Sequence, residues 1–300
     1  MIKWTIDAKV SENKMLKMKA YAKINLFLNV VGLRPDGYHD LEMVNAKITL
    51  ADDLRFYETL DIKPVTICSN DAFLENDSNL LNRVANFMIE HYARGKSIKI
   101  EIDKQIPPGA GLAGNSTDAA AIIKGMNQLF NLNLSKEQMK HIAIRFGADI
   151  PYCLQDEPAL VKGIGEIIEP LDFPFSNLSI LVLKPKAFVR TEEVFTLGDE
   201  IGFSNHDVTP MLKAIKDNNI EKFIKTMKNS LESITFQLSP ETAEAKQMLI
   251  DYFGEDGIVM SGSGSTIIKI VRENNDKINT FIRQHAEKYQ FYQTNIVNNE

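Results

Sequence analysis

Three hundred residues, 44% apolar and 25% charged, suffice for about two domains with substantial cores. The formal net charge of −6 argues against nucleic acid as a partner, and no apolar run approaches the roughly 20 residues of a membrane span. The opening MIKWTIDAKVSENKMLKMKAYAKINLF has no apolar signal core, and two cysteines, Cys68 and Cys153, are too few for a disulfide scaffold; reduced thiols and the cytoplasm are expected.

Residues 1–17 fit poorly with the strand pattern that begins at Met18, and Met15 or Met18 each offers an alternative start. From Met18 to Val31 the chain reads as a strand, with Ile24, Leu26 and Leu28 alternating. A Pro-Asp-Gly turn in LRPDGYHD comes next, then strands in VNAKITL, DLRFYE and VTICS. Asn79 opens a helix with Leu80, Val84, Phe87, Met88 and Tyr92 on one stripe. SIKIEID (97–103) alternates strictly and predicts a strand. It leads into IPPGAGLAGNSTDAAA (106–121), with Ser116 or Thr117 as cap of a helix from Asp118 to Phe130. SKEQMKHIAIRFG predicts another helix, capped by Ser135 and ended by Gly147. A second half begins near residue 160: a strand in LSILVLKP, helices around 208–230 and 240–253, a strand–turn–strand in GIVMSGSGSTIIKIV, and a last helix over 273–289. Strands and helices mix without a regular βαβ beat, so the class is α+β, with domains over 1–160 and 161–300.

The glycine run has the G-x-G-x-x-G spacing at Gly109, Gly111 and Gly114. A strand, a glycine turn and a helix make an anion cradle: glycine permits close backbone approach and positive φ, and the unpaired amides of the first helical turn point at the ligand. A dinucleotide site wants a further strand ending in an acidic residue about 20 residues on, and a Walker-type loop wants Gly-Lys-Ser/Thr. This chain has neither, and a turn serving only close packing is the third reading. The loop alone leaves all three open.

Other segments bear on the choice: Ala22-Lys23-Ile24-Asn25-Leu26, Arg34-Pro35-Asp36-Gly37-Tyr38-His39, Pro107 to Ala120, Gly147-Ala148-Asp149-Ile150-Pro151 and Met260 to Thr266. In this order they resemble the GHMP kinase superfamily, whose patterns in the relevant branch read AKINL, R-x-DGYH, P-x-GAGLGGGSSDAA, GAD-[IV]-P and MSGSG-[PS]-T. The resemblance covers about residues 18–270. It implies a two-domain GHMP kinase fold, with an N-terminal domain like ribosomal protein S5 domain 2 and a ferredoxin-like C-terminal domain. It also implies ATP and Mg2+, and as acceptor the 2-hydroxyl of a cytidine-diphosphate-linked erythritol in non-mevalonate isoprenoid synthesis. A sibling kinase with another small alcohol acceptor, or a non-catalytic nucleotide-binding paralogue, are the alternatives.

On this resemblance Asp149 is the carboxylate that takes the acceptor's proton, and Lys23 holds it ionised and stabilises developing charge. The ATP loop comprises Pro107, Gly109, Ala110, Gly111, Leu112, Ala113, Gly114, Asn115, Ser116 and Thr117. The Ser116 and Thr117 hydroxyls are available to phosphate, and Ser116 to Mg2+, though helix capping explains both equally. Asn79 and Lys104 match positions beside the adenine, against a plain helix cap and a strand-end lysine. Asn25, on the strand face of Lys23, with Tyr38, His39 and Phe195, matches the acceptor site, the aromatics sandwiching the pyrimidine. Ser261, Gly262, Ser263 and Gly264 form the glycine turn of the third motif. His91, His141, His206 and His285 attract no role, and Cys153 is read as a core residue. The chain departs from the pattern at Asn115, where glycine is usual and where Asn tolerates positive φ best among other residues. Gln155-Asp156-Glu157-Pro158 replaces a glycine-threonine stretch, and Gly163-Ile164-Gly165-Glu166 replaces G-R-G-E.

Overall fold

The computed structural model describes residues 10–76, 78–175, 178–272 and 274–297. In chain order these form β1 (Val10–Leu33), β2 (His39–Thr59), β3 (Val65–Ser69), α1 (Leu80–Tyr92), β4 (Ser97–Asp103), α2 (Gly114–Leu129), α3 (Lys136–Ile144) and α4 (Ile150–Cys153). Then come β5 (Ala159–Gly163), β6 (Ile167–Pro170), β7 (Ser179–Pro185), α5 (Thr191–Ile201), α6 (Thr209–Lys216), α7 (Ile220–Lys225), β8 (Lys228–Asn229) and α8 (Glu232–Leu238). The chain closes with α9 (Pro240–Phe253), β9 (Ile258–Met260), β10 (Ile267–Ile270), α10 (Asn275–His285) and β11 (Tyr289–Asn295). The class is α+β.

Two compact units share these elements, and β1 and β2 each contribute residues to both. In the first unit (1–21, 51–106 and 114–154), β4 runs antiparallel to β2 from Asp53↔Asp103 to Thr59↔Ser97 and parallel to β3. Helix α2 reaches this sheet closely because Gly125 has no side chain: a Cβ there would lie 2.6 Å from the Phe56 ring. In the second unit (22–50, 107–113 and 155–300), β5 pairs antiparallel with β2 and with β6, and β8 runs parallel to β1. A second sheet of this unit has the order β11-β7-β10-β9, antiparallel throughout.

Several expectations shift. VNAKITL and DLRFYE lie in one long strand. Helix α1 buries Leu81, Val84, Ala85, Met88 and Ile89 and leaves Tyr92 40% exposed, so its apolar stripe is turned by one position. Helix α2 begins at Gly114, four residues before Asp118, so Ser116 and Thr117 lie inside its first turn and do not cap it. Helix α3 carries the expected Ser135 cap as a full capping box with Gln138, and its C-cap is Arg145, two residues before Gly147. The stretch 208–230 holds two short helices and β8, and β5, β6, α5, α8 and β11 were not anticipated. Residues 1–9 of the opening segment, and residue 273 at the expected start of the last helix, lie outside the described residues. No helix among the described residues is long and apolar enough to cross a membrane.

Candidate active site

The central part of β1 breaks the simple inside–outside rule. Ala22 to Val30 are buried without interruption, so the face opposite Ile24, Leu26 and Leu28, which carries Lys23, Asn25 and Asn29, is covered as well. Within the second unit, what covers this polar face is the backbone of two glycine-rich segments. The Lys23 amide donates to the Leu112 carbonyl (3.1 Å). The Asn25 amide donates to Ser261 Oγ (3.2 Å), and that hydroxyl donates to the Gly111 carbonyl (3.0 Å). A side-chain relay continues from Lys23 Nζ to Asn25 Oδ1 (3.0 Å) and from Asn25 Nδ2 to Asn45 Oδ1 (2.7 Å). Lys23 is only 4% exposed, which excludes a solvated edge lysine.

The glycine loop alternates anchor and backbone. Ala110 and Leu112 are buried, while Gly109, Gly111 and Ala113 between and beside them have φ of +58°, +71° and +55°. The phenyl ring of Phe188 lies over Gly109, and the Ser261 carbonyl oxygen would be 2.2 Å from a Cβ on Gly111. Glycine at 111 is therefore required both by conformation and by space. The residue in the left-handed region without that freedom is Ala113, where the pattern P-x-GAGLGGGSSDAA has glycine. Asn115, the expected site of positive φ, lies in the first turn of α2 with an ordinary helical backbone.

The amides of that first turn come directly after the loop and have no acceptor within the helix, which suits them to an anion. Thr117 is buried and gives its hydroxyl proton to the Tyr21 carbonyl (2.7 Å). Ser116 is half-buried in the same turn. In the third motif, Asn229 Nδ2 donates to the carbonyls of Met260 and Gly262 (both 2.8 Å), and Ser263 Oγ meets Thr191 Oγ1 at 2.7 Å. Asp149 stands in the first unit at the N-terminus of the one-turn α4, half-buried, and makes no capping bond to it.

The N-terminal GHMP kinase domain model matches residues 79–157, and the C-terminal GHMP kinase model matches residues 211–290. A protein of Thermoanaerobacter pseudethanolicus named 4-diphosphocytidyl-2-C-methyl-D-erythritol kinase is 39% identical over 93% of this chain and 94% of its own length. The chain belongs to the GHMP kinases. A protein of Bacillus subtilis with the same name as that relative is 38% identical over 85% of this GHMP kinase and 87% of its own length. A crystal structure of 4-(cytidine 5′-diphospho)-2C-methyl-D-erythritol kinase superposes with a TM-score of 0.77 at 28% identity, covering 95% of this chain and all of the other.

Some residues of this GHMP kinase that sequence matching places near the nucleotide have structural partners. Asn79 caps α1, accepting from the Asn82 amide at 2.9 Å. Lys104 has a nearly buried ammonium that bridges two fully buried carboxylates, Asp52 Oδ2 at 2.5 Å and Asp118 Oδ2 at 2.6 Å. Asp52 Oδ1 also accepts from the amides of Gln105 and Ile106 (2.6 and 2.8 Å). This cluster ties the chain on either side of the glycine loop to β2. Burial pushes the Asp118 carboxyl up to about 8, against the pull of Lys104. Burial also opposes the charge on Lys104, but Asp118 and Asp52 outweigh it and raise its affinity for the proton.

In the second unit the acceptor-site matches divide. Tyr38 is 60% exposed at the end of the Gly37 turn. His39 is buried, its ring stacked on Phe195 (centroids 4.9 Å apart, 29° between planes) and its Nε2 2.8 Å from Asp199 Oδ1. Asp52, Asp118, Asn45 and Asp199 all escaped sequence reasoning. Each is an ordinary polar residue whose partner is distant along the chain, and only the unusual buried Lys23 on the same strand face as Asn25 hinted at the Asn45 relay.

Proposed function

We propose that this GHMP kinase transfers the γ-phosphoryl group of ATP to the 2-hydroxyl of 4-diphosphocytidyl-2-C-methyl-D-erythritol, in the cytoplasm. The observation that carries the kinase chemistry is the meeting, in one unit, of Lys23 and Asn25 with the Gly109–Ala113 loop and the Ser261–Gly264 turn. The acceptor is inferred from the names of the relatives and from retention of Asp36-Gly37-Tyr38-His39.

Phosphoryl transfer asks chiefly for positioning and charge stabilisation. The amides from Gly109 through the first turn of α2 hold the β- and γ-phosphates. Asp149 accepts the proton of the attacking hydroxyl as the O–P bond forms and ADP leaves. Lys23, held by Asn25, stabilises the negative charge that develops on the transferring oxygens. Asn25 contacts the acceptor from the same strand face, and Tyr38 and Phe195 take the pyrimidine. Among the described residues no group of three His, Cys, Asp or Glu side chains is placed to hold a metal. Mg2+ binds through one or two protein oxygens plus substrate phosphates and keeps several waters, and the half-buried Ser116 hydroxyl in the first turn of α2 is an oxygen of that kind. Ser116 is the hydroxyl that would hold it, and the ion would neutralise charge across the β- and γ-phosphates.

The test is ATP consumption by the purified protein with diphosphocytidyl-methylerythritol, plain erythritol and mevalonate in parallel. Turnover confined to the first supports the assignment. Turnover with another alcohol reassigns the acceptor, and none with any of the three removes the kinase reading in favour of nucleotide binding alone.

A further inference from the structure

We propose that Asn45 is a positioning residue for the phosphoryl transfer: its Oδ1 locks the carboxamide of Asn25 in the one orientation that presents an oxygen to the Lys23 ammonium. The inference rests on the charge-stabilising role proposed for Lys23. The polarity of the relay follows from its first member. An ammonium only donates, so Asn25 turns Oδ1 toward Lys23 Nζ (3.0 Å) and Nδ2 away from it. That Nδ2 then requires an acceptor where water does not reach, for Asn25 is only 1% exposed. Asn45 Oδ1 supplies it at 2.7 Å; the second acceptor in range, Met43 Sδ at 3.3 Å, is a weak one.

Packing and strand propensity do not account for an asparagine at this position. Residue 45 lies within β2, opposite Ala159 of β5 and between the buried Val44 and Ala46. Asparagine is depleted in strands, and this one is itself fully buried. Its own Nδ2 meets no acceptor among the described residues, a cost that an apolar side chain would avoid. Among those residues the bond to Asn25 is the one its side chain makes. That bond also polarises the Asn25 amide and strengthens Oδ1 as the acceptor for Lys23. The two asparagines therefore act in series, and the ammonium on β1 is aimed by a residue of the neighbouring strand β2.

Asn45→Leu and the smaller Asn45→Val both remove the acceptor, whereas Asn45→Asp keeps an accepting oxygen in nearly the same shape. With diphosphocytidyl-methylerythritol and ATP, the apolar variants should lower kcat about tenfold, the size of one lost hydrogen bond. ATP affinity by equilibrium titration should stay near wild type, because the backbone bonds from β1 to the two glycine-rich segments remain. Asn45→Asp should lose far less turnover. In an Asn25→Ala background, Asn45→Leu should lower kcat no further, since its effect passes through Asn25. Side-chain amide 1H–15N spectra of asparagine-labelled protein, with Asn25→Ala for assignment, read the bond directly. The Asn25 proton bonded to Asn45 should resonate downfield in the wild type and Asn45→Asp and move upfield in the apolar variants. An Asn25 signal indifferent to the apolar variants, or equal kcat losses in the two backgrounds, overturns the proposal. A wild type that turns over no alcohol, while its Asn25 signal responds as expected, would overturn the proposed kinase function and leave the hold of Asn45 on Asn25 standing.

Discussion

Gly111 and Ser261, 150 residues apart in sequence, are packed backbone on backbone: the Ser261 hydroxyl donates to the Gly111 carbonyl, and its own carbonyl oxygen occupies the place a side chain at 111 would need. The two glycine-rich motifs thus shape one another, and the strand carrying Asn25 joins them through the same hydroxyl. Glycine at 111 serves the docking of the loop as much as access of a ligand to its amides.

Gly111→Ala should therefore be severe. The positive φ alone costs about 1–2 kcal/mol for alanine, and the clash with backbone, which cannot swing aside as a side chain can, adds to it. We expect a loss above about 2 kcal/mol in urea unfolding together with a raised KM for ATP. Ser261→Ala, which removes only the hydroxyl bridge, should cost about 1 kcal/mol. Equal losses in the two variants would contradict backbone docking as the reason for the glycine.

The left-handed residue of the loop that lacks glycine's freedom is Ala113, not Asn115. Ala113→Gly relieves the conformational cost and loses part of that gain to the greater freedom of the unfolded chain. The net should be a stabilisation of about 0.5–1 kcal/mol. Asn115→Gly, inside a helix, should instead destabilise by a few tenths of a kcal/mol. Opposite signs in parallel unfolding titrations are the expected result; a stabilising Asn115→Gly would move the strain to the wrong side of Gly114.

These positions show what was legible in the sequence and what was not. SIKIEID and the Ser135 helix start were readable because alternation and capping are local signals, and the structure has both. The start of α2 was misread because Gly-Asn-Ser-Thr is a weak helix-forming stretch by propensity. Strand β11 was hidden because YQFYQTN buries only Tyr289 and Thr294 and lies close behind a helical pattern. Lys23 and the loop were visible as a lysine in an apolar run and a glycine cluster. Asp52, Asp118 and Asp199 were not, since a carboxylate whose partner lies 52, 14 or 160 residues away looks like any surface acid.

In the proposed mechanism Asp149 takes the proton of the acceptor hydroxyl, so its removal should tell on turnover. Asp149→Asn keeps the shape and removes the proposed proton acceptor. Turnover should fall on the order of 10²–10⁴-fold, with ATP affinity by equilibrium titration near that of the wild type. Near wild-type turnover in this variant would rule out Asp149 as the base.

The Asp52–Lys104–Asp118 cluster gives the protein a pH signature of its own. Two buried carboxylates share one ammonium, and burial favours the protonated form of Asp118. An unfolded aspartate titrates near 4, whereas burial raises Asp118 to about 8. The folded state therefore binds this proton more tightly than the unfolded one, and the stability it contributes is fully present below about pH 4 and lost as the pH rises toward 8. Asp118→Asn keeps a neutral, hydrogen-bonding side chain beside Lys104 at every pH. Thermal unfolding of the wild type should decline from pH 5 to pH 8 more steeply than that of the variant, the two curves diverging toward the alkaline end in the variant's favour. Parallel curves would mean that Asp118 is ionised in the fold throughout, with Lys104 compensating both carboxylates.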